Sequence, residues 1–307
     1  MLDDDNIFFI SADFGAPALD KLREKFGGRF INVGIAEQNL INISTGLALE
    51  GSIVFAYAIA PFLTMRAYEQ LRTNLAIMSQ VRDVNVNLIG VGSGLSYDVT
   101  GPTHHCLEDA CIMNLLPNFV VFSPADHVTA ERFVDYCLGV KKPKYIRLDG
   151  KAQPRIYHDA DRLSMEEGFV ELREGSEIGI VATGYMTHKA LRVAEALSKR
   201  AMTAGVVDVF MLKPVNERKL YETLRKYPRL VTMEESFLRK GSLDTIVADL
   251  LLDNNHHPRF TRFGFKDRYV FDVGSREHLH KLNGLDEESI VAAILSKTSA
   301  ESNPVGP

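Results

Sequence analysis

Cysteine is scarce in this chain of 307 residues, and the three that occur do not have the spacing of metal ligands. Cys106, Cys111 and Cys137 are also too few to form a disulfide framework in a chain of this length, so we interpret them as reduced thiols. Long hydrophobic runs are missing as well. The longest apolar stretches have the length of a core strand, which argues against a membrane-spanning helix.

Long runs of charge of one sign are missing from the sequence. The formal net charge is -5, with acidic and basic residues interspersed, so neither a basic face for nucleic acid nor a polybasic patch for a membrane is present. Residues 1–6 are acidic where a secretory signal would be basic. We therefore expect a cytoplasmic protein that acts on a small molecule or binds a protein partner.

The alternation of short apolar runs with helical segments predicts the fold class. The length is sufficient for about two domains, each with its own core. In the first half we predict strands at 6–11 and 144–148, a helix that begins at Pro61 and runs to about Gln80, and a helix capped by Asp126. In both halves β-rich runs alternate with helices, which predicts an α/β protein with two mostly parallel sheets, each covered by helices on both faces. The polar stretch around Pro154 separates them, so we predict domains at 1–155 and 168–298, a linker at 156–167 and a disordered tail at 299–307.

Residues 30–51 are the stretch around which the first half is organised. A short apolar run leads into Gly34 and then into a predicted helix with Glu37 in its first turn. The apolar positions of this helix predict one buried stripe with Glu37 at its edge. The stripe consists of Ala36, Leu40, Ile43 and Leu47. A carboxylate in a first turn could simply complement the helix dipole.

A glycine cluster at residues 90–94 follows a predicted strand and could cradle a pyrophosphate. The residues after it contain Pro102 and have no helical periodicity, so they present no helix N-terminus to a phosphate. Loop flexibility is the simpler interpretation.

The run Gly34-Ile35-Ala36-Glu37-Gln38-Asn39 resembles the G-x-x-E-x-N signature of the pyrimidine-binding domain of thiamine diphosphate enzymes, particularly the transketolase family. The resemblance implies that thiamine diphosphate is the cofactor. It also implies that Glu37 binds a ring nitrogen of the aminopyrimidine and starts the proton chemistry. A half-buried carboxyl group suits that role.

Three further residues follow from the same resemblance. The segment 62–70 resembles the one that packs an aromatic ring on the pyrimidine, which makes Phe62 the candidate stacking residue, although it could also be a core phenylalanine. Arg66 and Tyr68 are further candidate cofactor contacts. The run Ala67-Tyr68-Glu69-Gln70 favours the deoxyxylulose-phosphate synthases, but that alignment needs one extra residue after Phe62.

Two motifs resemble the substrate site of the family. Gly101-Pro102-Thr103-His104 is similar to a D-G-x-T-H motif, which implies that His104 is a catalytic residue directed at the reacting carbonyl. Tyr145-Ile146-Arg147-Leu148 ends a predicted strand where relatives bind a substrate anion, which makes Arg147 a candidate substrate contact. Arg147 could equally be an ion-pair partner at the strand end.

Two positions depart from the pattern of transketolases. Gly92 stands where they have a second histidine, and Thr100 stands where they have an aspartate before the Gly-Pro-Thr-His run. Both of those residues could bond donor hydroxyl groups. We therefore expect a choice of donor that differs from that of ordinary transketolases.

A further departure is that the chain contains no Gly-Asp-Gly, the sequence with which the family binds magnesium and the diphosphate. His256, His257, His278 and His280 are no substitute, because the magnesium of this cofactor prefers oxygen ligands, and we predict that these histidines lie on the surface. The resemblance then implies a C-terminal subunit of a split transketolase. Mg2+ would be held by an N-terminal partner subunit that carries the diphosphate-binding domain, and two such pairs would form a heterotetramer.

The predicted function is therefore transfer of a two-carbon ketol unit from a ketose donor to an aldose acceptor, at a site shared between two subunits. The sequence leaves two other enzymes open: the β subunit of a 2-oxo acid dehydrogenase and a deoxyxylulose-phosphate-synthase-like enzyme. The Gly-Pro-Thr-His run counts against the first, because those β subunits lack it. A non-catalytic regulatory paralogue is the alternative from another class, and the presence of Glu37, Phe62 and His104 together counts against it.

Overall fold

The structure is a computed structural model that describes residues 4–13, 15, 17–159 and 163–299. Its first half is built around a seven-stranded sheet. Six of the strands are β1 (Ile7–Ser11), β2 (Phe30–Asn32), β3 (Ile53–Ile59), β4 (Val86–Val91), β5 (Val120–Phe122) and β6 (Lys144–Leu148). These six strands pair in parallel.

Both faces of this sheet are covered, because successive residues of its strands belong to different apolar clusters. Ile10 and Val54 lie in one cluster with Leu40 of a covering helix, whereas Phe9 and Phe55 lie in another. Strands buried on both sides are typical of a parallel sheet between helices. The helices are α1 (Pro17–Phe26), α2 (Glu37–Leu49), α3 (Tyr68–Gln70), α4 (Asp109–Asn114) and α5 (His127–Gly139).

The second half contains a five-stranded sheet. Its strands are β7 (Phe169–Arg173), β8 (Ile178–Ala182), β9 (Ala204–Val209), β11 (Arg229–Phe237) and β12 (Arg259–Phe265). Their order is β12-β11-β8-β9-β7, and only the edge strand β7 is antiparallel to its neighbour. Its helices are α6 (Tyr185–Ser198), α7 (Glu217–Leu224), α8 (Leu243–Asp253), α9 (Arg276–Leu282) and α10 (Glu287–Ser299). The predicted α/β class with two mostly parallel sheets is thus confirmed.

The two halves are joined more closely than the sequence predicted. The short strand β10 (Met211–Lys213) belongs to the second half of the chain, yet it pairs antiparallel with β5 and forms an edge of the first sheet. The order of that sheet is β10-β5-β6-β4-β3-β1-β2. One apolar cluster also runs from Leu40 and Leu88 of the first half to Leu220 and Leu230 of the second. Side chains of the two halves are therefore packed against each other in this cluster, whereas a second cluster belongs almost entirely to the second half. The expectation that each half has its own core stays a prediction.

The boundaries proposed for the two domains stay a prediction. Residues 149–159 and 163–168 contain no helix or strand, at the place of the predicted linker. The predicted disordered tail lies outside the described residues except for Ser299, which ends α10.

The helix that carries Glu37 buries a different stripe from the predicted one. Its buried residues are Glu37, Leu40, Ile41, Ser44, Thr45 and Ala48. The hydroxyl groups of Ser44 and Thr45 donate to the carbonyl oxygens of Leu40 (2.7 Å) and Ile41 (2.8 Å), so these polar side chains can be buried with their hydrogen bonds satisfied. Ile43 and Leu47 pack only partly against the core.

The helical region predicted to run from Pro61 to Gln80 is present but is not a regular α-helix. Turns of π-helix at Phe62–Arg66 and Leu71–Ile77 flank α3, and a 3-10 turn follows at Met78–Gln80. A π-helical turn holds one more residue than an α-helical turn. The first of them lies where the alignment with the synthases needed one extra residue.

Candidate functional site

Glu37 lies where the first parallel strands of the sheet end. β2 stops at Asn32, the chain turns at Gly34, whose φ of 75° favours glycine, and α2 begins at Glu37. The Glu37 residue is 3% exposed. A buried carboxylate needs compensation, and here one cation and the position of Glu37 in the first turn, at the positive end of the helix dipole, provide it.

That cation is Arg66. Its Nη1 donates to Oε2 of Glu37 at 2.7 Å, and its guanidinium carbon lies 4.7 Å from the centre of the Phe62 ring. The π-helical turn Phe62–Arg66 holds both side chains on one side of the helix. The planar guanidinium therefore lies against an aromatic ring while it hydrogen-bonds a buried carboxylate.

His104 comes to the same place from a loop. The imidazole lies edge-on to the Phe62 ring, with ring centroids 5.2 Å apart and planes inclined by 73°. The Thr103 hydroxyl is 3.0 Å from Nδ1 of His104, and the backbone amide of His104 donates to the carbonyl oxygen of Gly101 at 3.0 Å. Four of the predicted site residues, Glu37, Phe62, Arg66 and His104, thus form one contiguous group.

Tyr68 lies apart from this group. Its hydroxyl donates to the backbone carbonyl of Ile112 at 2.9 Å, and its ring packs partly against the core. Burial raises the pKa of this phenol, with the charge of Arg72 acting in the opposite sense. The role of Tyr68 as a cofactor contact stays a prediction, and in this structure its hydroxyl is used to hold the helical region against α4.

Arg147 is buried inside the molecule. Its Nε donates to Oδ2 of Asp109 at 2.8 Å, and its Nη2 donates to the carbonyl oxygens of Glu235 at 2.8 Å and Cys106 at 3.4 Å. Burial alone would lower the pKa of Arg147, but the carboxylate of Asp109 raises it, so the guanidinium stays charged. The ion pair that the sequence left open is thus present. Binding of a substrate anion stays a prediction, and it would require these contacts to open because only 5% of Arg147 is exposed.

Tyr97 is a residue of the site that the sequence did not point to. Its ring lies edge-on to His104, with centroids 6.4 Å apart, and it fills the space beside Gly92. A Cβ atom at residue 92 would lie 2.1 Å from the Tyr97 ring. Burial, and then the charge of Asp149, raise the pKa of the Tyr97 phenol. The one sequence signal that could have indicated Tyr97 as a site residue is its position in the same loop, seven residues before His104.

The interpretation of the cysteines is confirmed, since all three are free and buried. The prediction for the histidines was wrong at His280, which is fully buried and lies 2.5 Å through its Nε2 from Oε1 of Glu235. A carboxylate inside the fold explains why an imidazole is buried there. Within the described part of the chain, no three His, Cys, Asp or Glu side chains are placed to hold a metal ion.

None of the helices among the described residues is both long enough and apolar enough to cross a bilayer.

Known proteins match both halves of the chain. Residues 1–153 match the transketolase pyrimidine-binding domain, and residues 168–290 match the transketolase C-terminal domain. One of the subunits of an apulose-4-phosphate transketolase from Actinobacillus succinogenes is 31% identical over 273 residues, which are 89% of this chain and 86% of that relative.

Two other relatives bear on the choice between activities. A 1-deoxy-D-xylulose-5-phosphate synthase from Gloeobacter violaceus is 32% identical over 92% of this chain, which spans 44% of that enzyme. Among solved structures, a split-gene transketolase described as an inactive β4 tetramer is 32% identical. It superposes with a TM-score of 0.84 over 96% of this chain and 92% of that one.

Proposed function

Because the chain belongs to the transketolase family, we propose that it is one subunit of a two-subunit, thiamine diphosphate-dependent transketolase. The enzyme moves a two-carbon ketol unit from a ketose donor to an aldose acceptor. The observation that carries this proposal is the group formed by the buried Glu37 carboxylate, the Phe62 ring and the His104 imidazole. The subunit contributes the pyrimidine half of the cofactor site and part of the substrate site.

The residues present fit the aminopyrimidine end of the cofactor. The Arg66 guanidinium, a flat group that forms hydrogen bonds, already lies against Phe62 and binds Glu37. A flat pyrimidine ring with hydrogen-bonding nitrogens makes the same two demands, so Glu37 and Phe62 would hold it once the guanidinium of Arg66 moves off the Phe62 ring. We therefore propose that the pyrimidine displaces Arg66, in place of the cofactor contact that was expected from the sequence. We assign the diphosphate end of the cofactor and its magnesium ion to the partner.

The chemistry is divided between the cofactor and side chains of this chain. When bound, thiamine diphosphate supplies the electron sink for breaking a carbon–carbon bond beside a carbonyl. With the cofactor bound, the carboxyl group of Glu37 would hydrogen-bond a pyrimidine nitrogen and share a proton with it. Since the Thr103 hydroxyl lies at Nδ1 of His104, we assign proton exchange with the substrate oxygen to Nε2.

Exposed apolar side chains around this group support a subunit interface at the site. Ile35, Met65 and Val99 are 75%, 40% and 67% exposed, and they lie close in sequence to Glu37, Phe62 and His104. Exposed apolar residues around a polar site are typical of a surface that another protein covers. We propose that the diphosphate-binding subunit closes over this face and that two such pairs associate.

The second candidate function is formation of a deoxyxylulose-phosphate-like ketose from a 2-oxo acid and an aldose phosphate. The synthase relative and the π-helical turn at Phe62–Arg66, which accommodates the extra residue, favour it. Release of carbon dioxide distinguishes this reaction from ketol transfer, since a transketolase releases none.

The proposal is tested by titrating the chain with thiamine diphosphate and magnesium, with and without the diphosphate-binding chain of the same organism. We expect binding and two-carbon transfer only from the mixture. Glu37→Gln should assemble normally but lose a hundredfold to ten-thousandfold in turnover, the share that acid–base groups usually supply.

Glu50→Gln is the matched control, because Glu50 is an exposed carboxylate at the other end of α2. It should leave turnover unchanged. Micromolar binding by the isolated chain would refute the shared site, and a Glu37→Gln mixture with more than a tenth of the parent turnover would refute the role of Glu37.

A further inference from the structure

The loop that carries His104 is closed at its base and seated on the second half of the chain. Gly94 and Cys106 exchange both backbone hydrogen bonds, at 3.0 and 2.9 Å, so residues 94–106 form a closed loop. Leu95 and Leu107, next to these two residues, are buried in the apolar cluster of β8, α6 and β11. Both ends of the His104 loop are therefore packed into the core of the C-terminal half.

A carboxylate of β11 supports the beginning of this loop. The backbone amide of Leu95 donates to Oε2 of Glu235 at 3.3 Å. Gly94 has a φ of 59°, and a Cβ atom there would lie 2.0 Å from the same oxygen. Only glycine permits this close approach of the loop to Glu235.

The middle of the loop is held by the start of α9. Oδ2 of Asp98 accepts the backbone amide of Arg276 at 2.9 Å and also pairs with Nζ of Lys151 at 2.5 Å. The backbone carbonyl of Asp98 lies 3.2 Å from Nε2 of His105, the residue after His104. A path of hydrogen bonds thus leads from Arg276 through Asp98 to the neighbour of the candidate catalytic histidine.

Glu235 and Arg276 are fixed to each other. Nε of Arg276 donates to Oε1 of Glu235 at 2.8 Å, Nη2 pairs with Oε2, and Nη1 donates to Oδ2 of Asp149 at 2.5 Å. Burial would raise the pKa of Glu235, but the charge of Arg276 and its hydrogen bonds, together with His280, hold it well below its usual range. The pair is therefore charged and buried, at 2% exposure for each residue.

We propose that Glu235 and Arg276, in the C-terminal half, are positioning residues for His104. They hold the loop 94–106 so that the imidazole stays against Phe62. The proposal rests on the proposed function only in taking His104 as the group that acts on the substrate. It gives the C-terminal half a part in the reaction without any contact with substrate or cofactor.

The test compares Glu235→Gln with Glu234→Gln in the full chain. Glu234 is the adjacent residue and equally buried, but its carboxylate accepts the amides of Leu243 and Asp244 at the start of α8. Amide hydrogen exchange reports directly on the order of the loop. We expect Glu235→Gln to raise exchange within residues 94–106 by about tenfold or more, and Glu234→Gln to leave it within about twofold of the parent.

In the enzyme assembled with its partner, Glu235→Gln should lower kcat at nearly unchanged KM for the donor, because a displaced His104 fails in the transition state rather than in binding. Unchanged exchange in the loop, or an equal increase from Glu234→Gln, would overturn the proposal. Faster exchange with an unchanged kcat would overturn it too. The exchange measurement needs no activity, so a failure of the proposed function is recognised separately.

Should Glu235→Gln not fold, Asp98→Asn provides the second variant. It leaves one acceptor oxygen for the backbone amides of Val99 and Arg276, which donate to two different carboxylate oxygens in the parent. Asp149→Asn is its control, since Asp149 pairs with the same Arg276. Faster loop exchange in Asp98→Asn alone supports the proposal, and equal exchange in both variants overturns it.

Discussion

Asp208 shows how a single residue can make stability depend on pH. It is fully buried on β9 and accepts the hydroxyl groups of Tyr157 and Thr187, each at 2.6 Å. Burial raises its pKa to about 7, against the effect of these two hydrogen bonds. The folded protein therefore binds a proton at Asp208 in a pH range where the unfolded chain has lost it.

We predict that Asp208→Asn changes the pH profile of unfolding. Because the folded pKa is raised, the contribution of Asp208 is fully present below about pH 4 and is lost as pH rises towards 7, at up to about 1.4 kcal/mol per pH unit. The stability of Asp208→Asn relative to the parent should rise by that slope between pH 5 and 7. Melting temperatures at four pH values measure it, and parallel profiles would contradict it.

The candidate site residues were predictable from the sequence where a short motif contained them. Glu37, Phe62 and His104 were named from short patterns, and the structure brings them together, although their roles stay predictions. The burial of Arg147 was not predictable, because it depends on contacts with Asp109 and Glu235, which lie far away in the chain. Tyr97 was missed because an irregular loop has no periodicity from which the contact of its ring with His104 could be read.

Among the elements, α5 has a stronger N-cap than α7. Oδ1 of Asp126 accepts the amide of Thr129 at 2.9 Å, and Oδ2 accepts the amides of Ile156 and Tyr157 at 2.7 and 2.9 Å. Asn216 caps α7 by accepting one amide, that of Lys219, at 3.1 Å. The carboxylate of Asp126 thus ties α5 to the segment that follows the first sheet.

We predict that Asp126→Ala lowers the free energy of unfolding by more than about 2 kcal/mol, whereas Asn216→Ala lowers it by about 1 kcal/mol, the usual value for a lost cap. The excess comes from two further backbone amides that lose their acceptor, that of Tyr157 in a buried place and that of Ile156 in a partly buried one. Urea unfolding followed by circular dichroism at pH 7 measures both variants. An equal loss would show that the amides of Ile156 and Tyr157 find other partners.

Regular elements were predictable because their signals are local. The cap at Asp126 and the strands of the alternating units follow from neighbouring residues, and β1, α5 and β6 lie where they were expected. β10 was missed because three residues gain their strand conformation only from pairing with the distant β5. The π-helical turns were missed because periodicity does not distinguish them from an α-helix.

At the scale of the whole molecule, the surface that matters for partner binding lies at the carboxyl ends of the parallel strands of the first sheet, where Glu37 lies. Ile35 follows the carboxyl end of β2 and is 75% exposed. Val81 precedes the amino end of β4, on the opposite side of the sheet's strand ends, and is 76% exposed. Two side chains of equal exposure thus lie at opposite ends of parallel strands. They form a matched pair for locating the proposed partner.

We predict that Ile35→Asp weakens the affinity for the diphosphate-binding partner tenfold or more, because burying an aliphatic side chain of this size contributes about 1.5–3 kcal/mol. Val81→Asp should bind as the parent does. Sedimentation or calorimetry of the mixed chains measures the affinity, with melting temperature as the check on folding. If Val81→Asp weakens the affinity more than Ile35→Asp does, the partner binds at the amino ends of the strands.

Before a partner or a cofactor binds, the folded chain already contains a buried carboxylate, that of Glu37, close to its surface. Arg66 makes this possible, because its guanidinium compensates Glu37, and removing the partner of a buried charge typically costs about 3–5 kcal/mol. The Arg66 side chain is 47% exposed, so it can swing out into water when a ring enters. If the chain is one subunit of two, it can accumulate in the folded state before the other subunit is present. The amount of the other subunit then determines how much enzyme is formed.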